Sequence, residues 1–317
     1  MNTKHEMYIK QLILYTIKRI IIVGIFSIST LNASTWIYQD KNKTTTEKEF
    51  FIKHGNYPNG KQIESFNDSE IFIRDMDNSV TKTNITNGKI LFDVPYKGSY
   101  HIFFKNLYVE NEVLHIELSS IRAYNKKGDL KDALAKEVRG KTVGTHYAKE
   151  PFFEIPFEVI LQKPIRKHHI NCCLYSGDIL PFKIYFKSNI KKDIPLRVYT
   201  QKGWTNKINP DSDGIVSFEI PRNTYADIKT NKRYKESLLV EASYEENISG
   251  IYNGKEYKKR VYTMTLPFDF HTSPLEYSSQ LSGFYVVVGV MLVFSLGIYY
   301  YRRKKKKEPK EIWFDEK

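Results

Sequence analysis

Residues 281–301 form a run of 21 side chains without a single charge, and six cations, Arg302 to Lys307, follow it directly. At about 1.5 Å per residue, a helix of that length covers roughly the 30 Å hydrocarbon core of a bilayer. The run predicts a transmembrane helix over 281–301 with a basic cytoplasmic tail over 302–317, and Tyr285 and Tyr299 to Tyr301 would sit at headgroup depth. A buried core helix would leave the abutting cations unexplained. Whatever else the chain builds must therefore fold on one side of a membrane.

The opposite end carries Lys4, Lys10, Lys18 and Arg19, then an apolar run over 20–28 and small residues over 29–34. That order predicts a secretory signal over 1–33, cleaved after Ala33. Nine apolar residues are too few to span a bilayer, and an uncleaved anchor recruiting 9–15 would be interrupted by Lys18 and Arg19. Of the net charge of +13, the signal segment holds four cations against one anion and the tail eight against four, which leaves +6 between them. A nucleic-acid partner is excluded on that basis, because much of the excess is topogenic and the rest is exported. Weak attraction to anionic envelope polymers stays open. Only two cysteines are present, which excludes a disulfide framework.

Between these ends the chain reads as strand after strand. The runs 89–94, 101–104, 113–121, 153–161, 179–186, 196–199, 215–220, 237–244 and 260–270 are rich in Val, Ile, Tyr and Phe, with Asn, Gly, Pro or Asp between them. An aromatic share of 14% points the same way. One short helix is expected over 130–138, between Gly128-Asp129 and Gly140. Residues 41–49 are polar and read as a spacer or exposed leading segment. An internal echo, Asn87-Gly88-Lys89-Ile90-Leu91-Phe92-Asp93-Val94-Pro95 against Asp213-Gly214-Ile215-Val216-Ser217-Phe218-Glu219-Ile220-Pro221, predicts two similar modules; chance similarity between Tyr-rich strands is the alternative. The expected fold is mainly β: two Ig-like antiparallel β-sandwich modules with one C-terminal transmembrane helix. The expected order is a signal over 1–33, a leading segment over 34–50, sandwiches over 51–150 and 151–273, a linker over 274–280, then the helix and tail.

From Phe153 onward the chain resembles the exported, membrane-anchored β-sandwich family once annotated NikM-like. The features that carry the likeness run in order: Pro156-Phe157-Glu158-Val159-Ile160, Gly177-Asp178-Ile179-Leu180, Pro195-Leu196-Arg197-Val198, the turn Asp211-Ser212-Asp213-Gly214, and Leu238-Leu239-Val240-Glu241-Ala242-Ser243-Tyr244. The resemblance implies an accessory or metal-handling subunit of a nickel or cobalt uptake system, held at the inner membrane with its ectodomain periplasmic, next to a membrane permease or another envelope protein. Members place a His near the mature N-terminus, whereas this chain has Ser34-Thr35-Trp36 and no His from there to His54.

Candidate metal chemistry concentrates at His168, His169, Cys172 and Cys173, where imidazole and thiolate would suit Ni, Co or Cu. On a strand no face offers more than two of them, so a site would need a bend or further ligands such as His101, His115, His146 or His271. Buried cysteines with edge histidines, or a vicinal disulfide, are the alternatives. Asn209-Pro210-Asp211-Ser212-Asp213-Gly214 looks like the front of a calcium loop, but Ile220 stands where the bidentate Glu belongs, so it reads as a turn. No nucleophile elbow, phosphate loop, His-Glu-x-x-His helix or dinucleotide fingerprint occurs, so the chain reads as no enzyme. Trp204, Tyr252 and Tyr257 could stack on a ligand or simply cover the edge of a core. A non-enzymatic Ig-like interaction module that binds an envelope protein is the other expectation.

Overall fold

Along 179–186 every second side chain is buried, and the same two-residue period recurs over 196–200 and 215–219, as half-buried strands require. The computed structural model describes residues 34–39, 47–75, 78–93, 98–125, 150–162, 165, 174–222 and 235–305. The signal segment, the helix expected over 130–138 and the tail from 306 lie outside them. The strands are β1 (Ser34–Gln39), β2 (Glu47–Gly55), β3 (Lys61–Gln62), β4 (Ser69–Arg74), β5 (Val80–Thr83), β6 (Ile85–Thr86), β7 (Lys89–Asp93), β8 (Gly98–Glu110), β9 (Val113–Asn125) and β10 (Phe157–Leu161). They continue as β11 (Leu174–Tyr175), β12 (Ile179–Phe186), β13 (Asn189–Lys191), β14 (Leu196–Thr200), β15 (Thr205–Ile208), β16 (Ile215–Glu219), β17 (Lys235–Glu246), β18 (Gly250–Tyr252), β19 (Lys255–Tyr257) and β20 (Lys259–His271), and helix α1 (Pro274–Lys305) follows.

In the first module β1-β2-β7-β6 form one sheet and β5-β4-β8-β9 the facing one, the strand order of an immunoglobulin-like sandwich. Ile37, Phe50, Ile52, Ile71, Ile73, Ile90, Ile102 and Phe104 interdigitate between them and are all buried. At about 1.5–3 kcal/mol for each fully buried aliphatic or aromatic side chain, this layer outweighs the ladder hydrogen bonds, whose net worth is about 1 kcal/mol each.

The second module repeats the plan, with β6 unmatched among the described residues and β18–β19 added. β12 is flanked by β10 on one side and by β16 and β13 on the other, as β2 is by β1, β7 and β3. β15-β14-β17-β20 match β5-β4-β8-β9. The echo read from sequence falls on equivalent strands, β7 and β16, each launched from a left-handed Gly (Gly88 at φ 70° and Gly214 at φ 75°) that only a residue without Cβ adopts freely. The chain is thus mainly β, two Ig-like sandwiches with one C-terminal helix.

The modules are not beads on a linker. Their last strands, β9 and β20, pair in parallel from Lys259↔Val113 to Thr265↔Ser119, which fuses two four-stranded sheets into one sheet, and β11, paired with the last residues of β20, makes nine strands. Parallel pairing of equivalent strands implies a pseudo-two-fold axis along the seam. Such an axis turns the sheet over, so the two outer sheets must cover opposite faces. They do: Leu114, Ile116 and Leu118 of β9 join the core under β12, while Ala123 and Ile121 on alternate positions join the core under β2.

Each module also reaches across the seam. Thr265 Oγ1 on β20 donates to the Thr35 carbonyl at 2.5 Å, and Ser119 Oγ on β9, which accepts the Ile37 amide at 3.0 Å, donates to the Thr265 carbonyl at 3.4 Å. On the other face Phe152, just before β10, packs its ring 5.2 Å from Phe103 and 5.7 Å from Phe72 of the first module. Residues 34–39 and 47–49, assigned from sequence to a leading segment, are therefore strand, and Ser34 to Ile37 are buried. Glu49 is buried because Lys89 meets it at 2.8 Å. The linker expected over 274–280 belongs to α1, whose part 283–305 is long and apolar enough to cross a membrane and has none of its apolar window buried among the described residues.

Candidate functional site

Polar groups are expensive to bury, so the places where this fold buries them are the first candidates for function. One lies under β1 at the seam. The registers Glu117↔Thr263 on one side of β20 and Glu241↔Thr265 on the other place two carboxylates on one face, two strands and about 10 Å apart. Both side chains are buried.

Around Glu117, Thr35 Oγ1 donates to Oε2 at 2.8 Å, Tyr108 donates to Oε1 at 3.1 Å, and Asn106 Nδ2 lies at 3.4 Å. Thr35 Oγ1 is also 2.7 Å from His54 Nδ1. A hydroxyl has one proton, and the carboxylate takes it, so the oxygen accepts from a protonated Nδ1. Such a threonine is no activated nucleophile, because its imidazole neighbour donates to it rather than receiving its proton. Burial, with the Glu117 charge second, pushes the Tyr108 phenol up. His115 stacks on Tyr108 at 4.9 Å, and its own burial pulls its pKa down.

Glu241 receives the Ser34 hydroxyl, with Tyr199 Oη at 3.4 Å and the half-exposed Arg197 Nη1 at 3.7 Å. Burial nevertheless raises its carboxyl. On the opposite face, Arg74 of the first module lies over Phe103 and Phe152, with Nη1 3.3 Å from the Glu150 carbonyl. Glu158 of the second module sits nearby and accepts the Phe152 amide at 2.7 Å.

A different kind of surface caps the end of the body remote from α1. β20 runs from this end to the helix, about 40 Å for its 13 residues. Between β17 and β20 the chain makes an extra hairpin, β18 and β19, around Asn253-Gly254, both at positive φ as a tight two-residue turn requires. The hairpin is braced against the first module. Tyr252 Oη donates to Asp68, and Lys258 meets Glu112 through its amide at 2.8 Å and its ammonium at 2.6 Å. Arg260 holds the Tyr257 hydroxyl at 2.6 Å. Ile248 and Ile251 remain on the outside, Ile251 with 70% of its surface in solvent.

His168, His169, Cys172 and Cys173 lie outside the described residues, as does His146. The nearest described neighbour, Leu174, pairs with Phe270 three residues before Ser273, where β20 gives way to α1. Of the histidines offered as further ligands, His101 faces Arg74 across β4 and β8, His115 lies at the opposite end of β9 under Tyr108, and His271 is near Tyr175. Among the described residues no group of three or more His, Cys, Asp or Glu is arranged to hold a metal. Asp211 Oδ1 accepts the amides of Asp213 and Ile215 at 2.9 and 2.8 Å, which makes 211–214 a side-chain-closed turn. Tyr257 is buried and Trp204 packs on the core, so both cover core edge. Neither carboxylate at the seam nor the hairpin was singled out by sequence reasoning, although Asn253-Gly254 between Tyr-rich runs is a hairpin signal.

No protein-family model matches the chain. No curated protein matches it either. Residues 156–160 lie at β10, 177–180 and 195–198 at the starts of β12 and β14, 211–214 in the turn before β16 and 238–244 along β17.

Proposed function

We propose that this is a single-pass membrane protein without enzymatic activity, whose exported ectodomain docks an envelope protein through the β18–β19 hairpin. One observation carries the reading: a rigidly braced hairpin with exposed Ile248 and Ile251 at the end of the body farthest from α1. Two sandwiches fused through one sheet hold that tip at a fixed height, and exposed isoleucines on a preorganised loop cost little entropy to dock. Export by the 1–33 segment and the cations after Tyr301 support an outside ectodomain and an inside tail.

Testing it takes the full chain in its native membrane, with a photo-crosslinking residue at Lys255 in the hairpin or at Lys207 on the β15 edge. A discrete adduct from the hairpin, lost on Ile251→Asp with the unfolding midpoint unchanged, is the expected result. Adducts from β15 alone, or none from the hairpin, would sink it.

A second reading makes that partner a nickel or cobalt permease and the ectodomain a metal-handling subunit. It is supported by the four-residue His/Cys set and the family resemblance. Titration of the detergent-solubilised chain, kept reduced, with Ni²⁺, Co²⁺, Cu⁺ and Zn²⁺ tests it. Saturable binding tighter than about 1 μM that vanishes when His168, His169, Cys172 and Cys173 become Ala is required.

A further inference from the structure

Ser34 is the residue that the signal reading makes the first of the mature chain, and it is 5% exposed. Its hydroxyl does not point to solvent, as a leading residue's usually does, but donates to Glu241 of the other module. Glu241 is 2% exposed, and its one cationic partner among the described residues, Arg197, stands 3.7 Å off with a side chain 46% in water. A carboxylate buried that deeply beside a solvated guanidinium lacks a close counter-charge.

We propose that the exported chain is hydrolysed between Ala33 and Ser34, and that the α-ammonium so released becomes the counter-charge of Glu241 and completes the joint between the sandwiches. In that step water adds across the peptide bond. The C–N bond breaks, Ala33 keeps a carboxylate, and Ser34 gains an amine that is protonated below a pKa of about 8. The geometry suits this. The Ser34 nitrogen is three bonds from its own Oγ, about 3–4 Å, so a charge there lies within about 6 Å of the carboxylate its Oγ touches.

The strand cannot slide to relieve or avoid the pairing. Thr35 next in line is pinned through its hydroxyl to Glu117 and through its carbonyl to Thr265, and Ile37 through its amide to Ser119. Because Ser34 to Ile37 are buried in the folded body, the cut must precede docking of β1. Processing then completes the joint: only a chain with its amine free sets an ammonium beside Glu241 when β1 is seated across both modules. The inference concerns maturation of the ectodomain and stands apart from which partner the hairpin binds.

The test uses the full-length chain expressed with its own N-terminal segment and purified in detergent. N-terminal sequencing should return Ser-Thr-Trp. Periodate, which cleaves the 1,2-amino alcohol of an N-terminal serine, should leave the native protein intact by mass, convert the urea-unfolded protein, and attack the Glu241→Gln variant about tenfold faster than wild type, the change one charge-assisted hydrogen bond makes. In a second arm, Glu241→Gln should lower the melting midpoint of the processed chain by about 4 °C. In an Ala33→Arg chain that resists cleavage it should leave the midpoint unchanged or raise it. A mature chain beginning elsewhere, native protein oxidised as fast as unfolded, or an equal loss in both backgrounds would overturn the proposal. Should the uncleaved chain fail to accumulate, the periodate arm decides alone.

Discussion

Glu158 shows what a single residue at the seam does to the energetics. Its carboxyl is 4% exposed, and although the Phe152 amide and the Arg74 charge both favour ionisation, burial dominates and pushes its pKa from 4.5 up to about 7. A carboxyl whose folded pKa lies above its unfolded one stabilises the fold when protonated. Its contribution is complete below about pH 4.5 and is lost as the pH rises through about 7. On this account the loss is about 3 kcal/mol at most. Glu236, also raised by burial, acts with the same sign. Glu70, held down by Lys105 and Lys82, acts oppositely, and its contribution is lost as the pH falls. Urea unfolding of the full chain between pH 5 and 8 should show stability declining toward pH 8, and Glu158→Gln should flatten that decline. A slope identical in the variant would remove Glu158 from the account.

At the scale of elements, β1 depends on a close approach that no propensity scale contains. A Cβ on Gly60 would stand 2.2 Å from Trp36 Cη2 and 3.0 Å from the His54 carbonyl, with ring on one side and backbone on the other. Gly60→Ala should therefore cost about 1–3 kcal/mol and disturb the near-ultraviolet dichroism of Trp36; an unchanged midpoint would mean that β1 is not tightly seated. Strands such as β7, β12 and β16 were legible because apolar runs and Asn-Gly, Gly-Asp or Asp-Gly punctuation coincide there. β1 was not, because six residues beside a signal segment look like its tail, and the start of β2 was hidden because Glu49 owes its burial to Lys89 forty residues away. The seam was illegible for a deeper reason. Which edge of a sheet another module joins depends on both surfaces, and nothing local in β9 or β20 announces a parallel pairing. Glu117 and Glu241 read as polar positions of half-buried strands, so the buried carboxylates became visible only once β1 was placed over them.

For the whole molecule, the fused nine-stranded sheet, the β1 strap and the hairpin brace tie the modules together at the seam, across one face and at the tip. Two sandwiches so joined should behave as one cooperative body rather than two domains on a hinge. That rigidity underlies the proposed role, since a hinged pair could not hold the β18–β19 tip at a set distance from the membrane. Hydrogen exchange followed by mass spectrometry on the full chain in detergent, repeated over a urea series, tests this most directly. The account predicts that peptides from β4 and β8 of the first module and from β12 and β16 of the second open together, with the same dependence on urea. Separate openings, one module exchanging while the other stays protected, would contradict it.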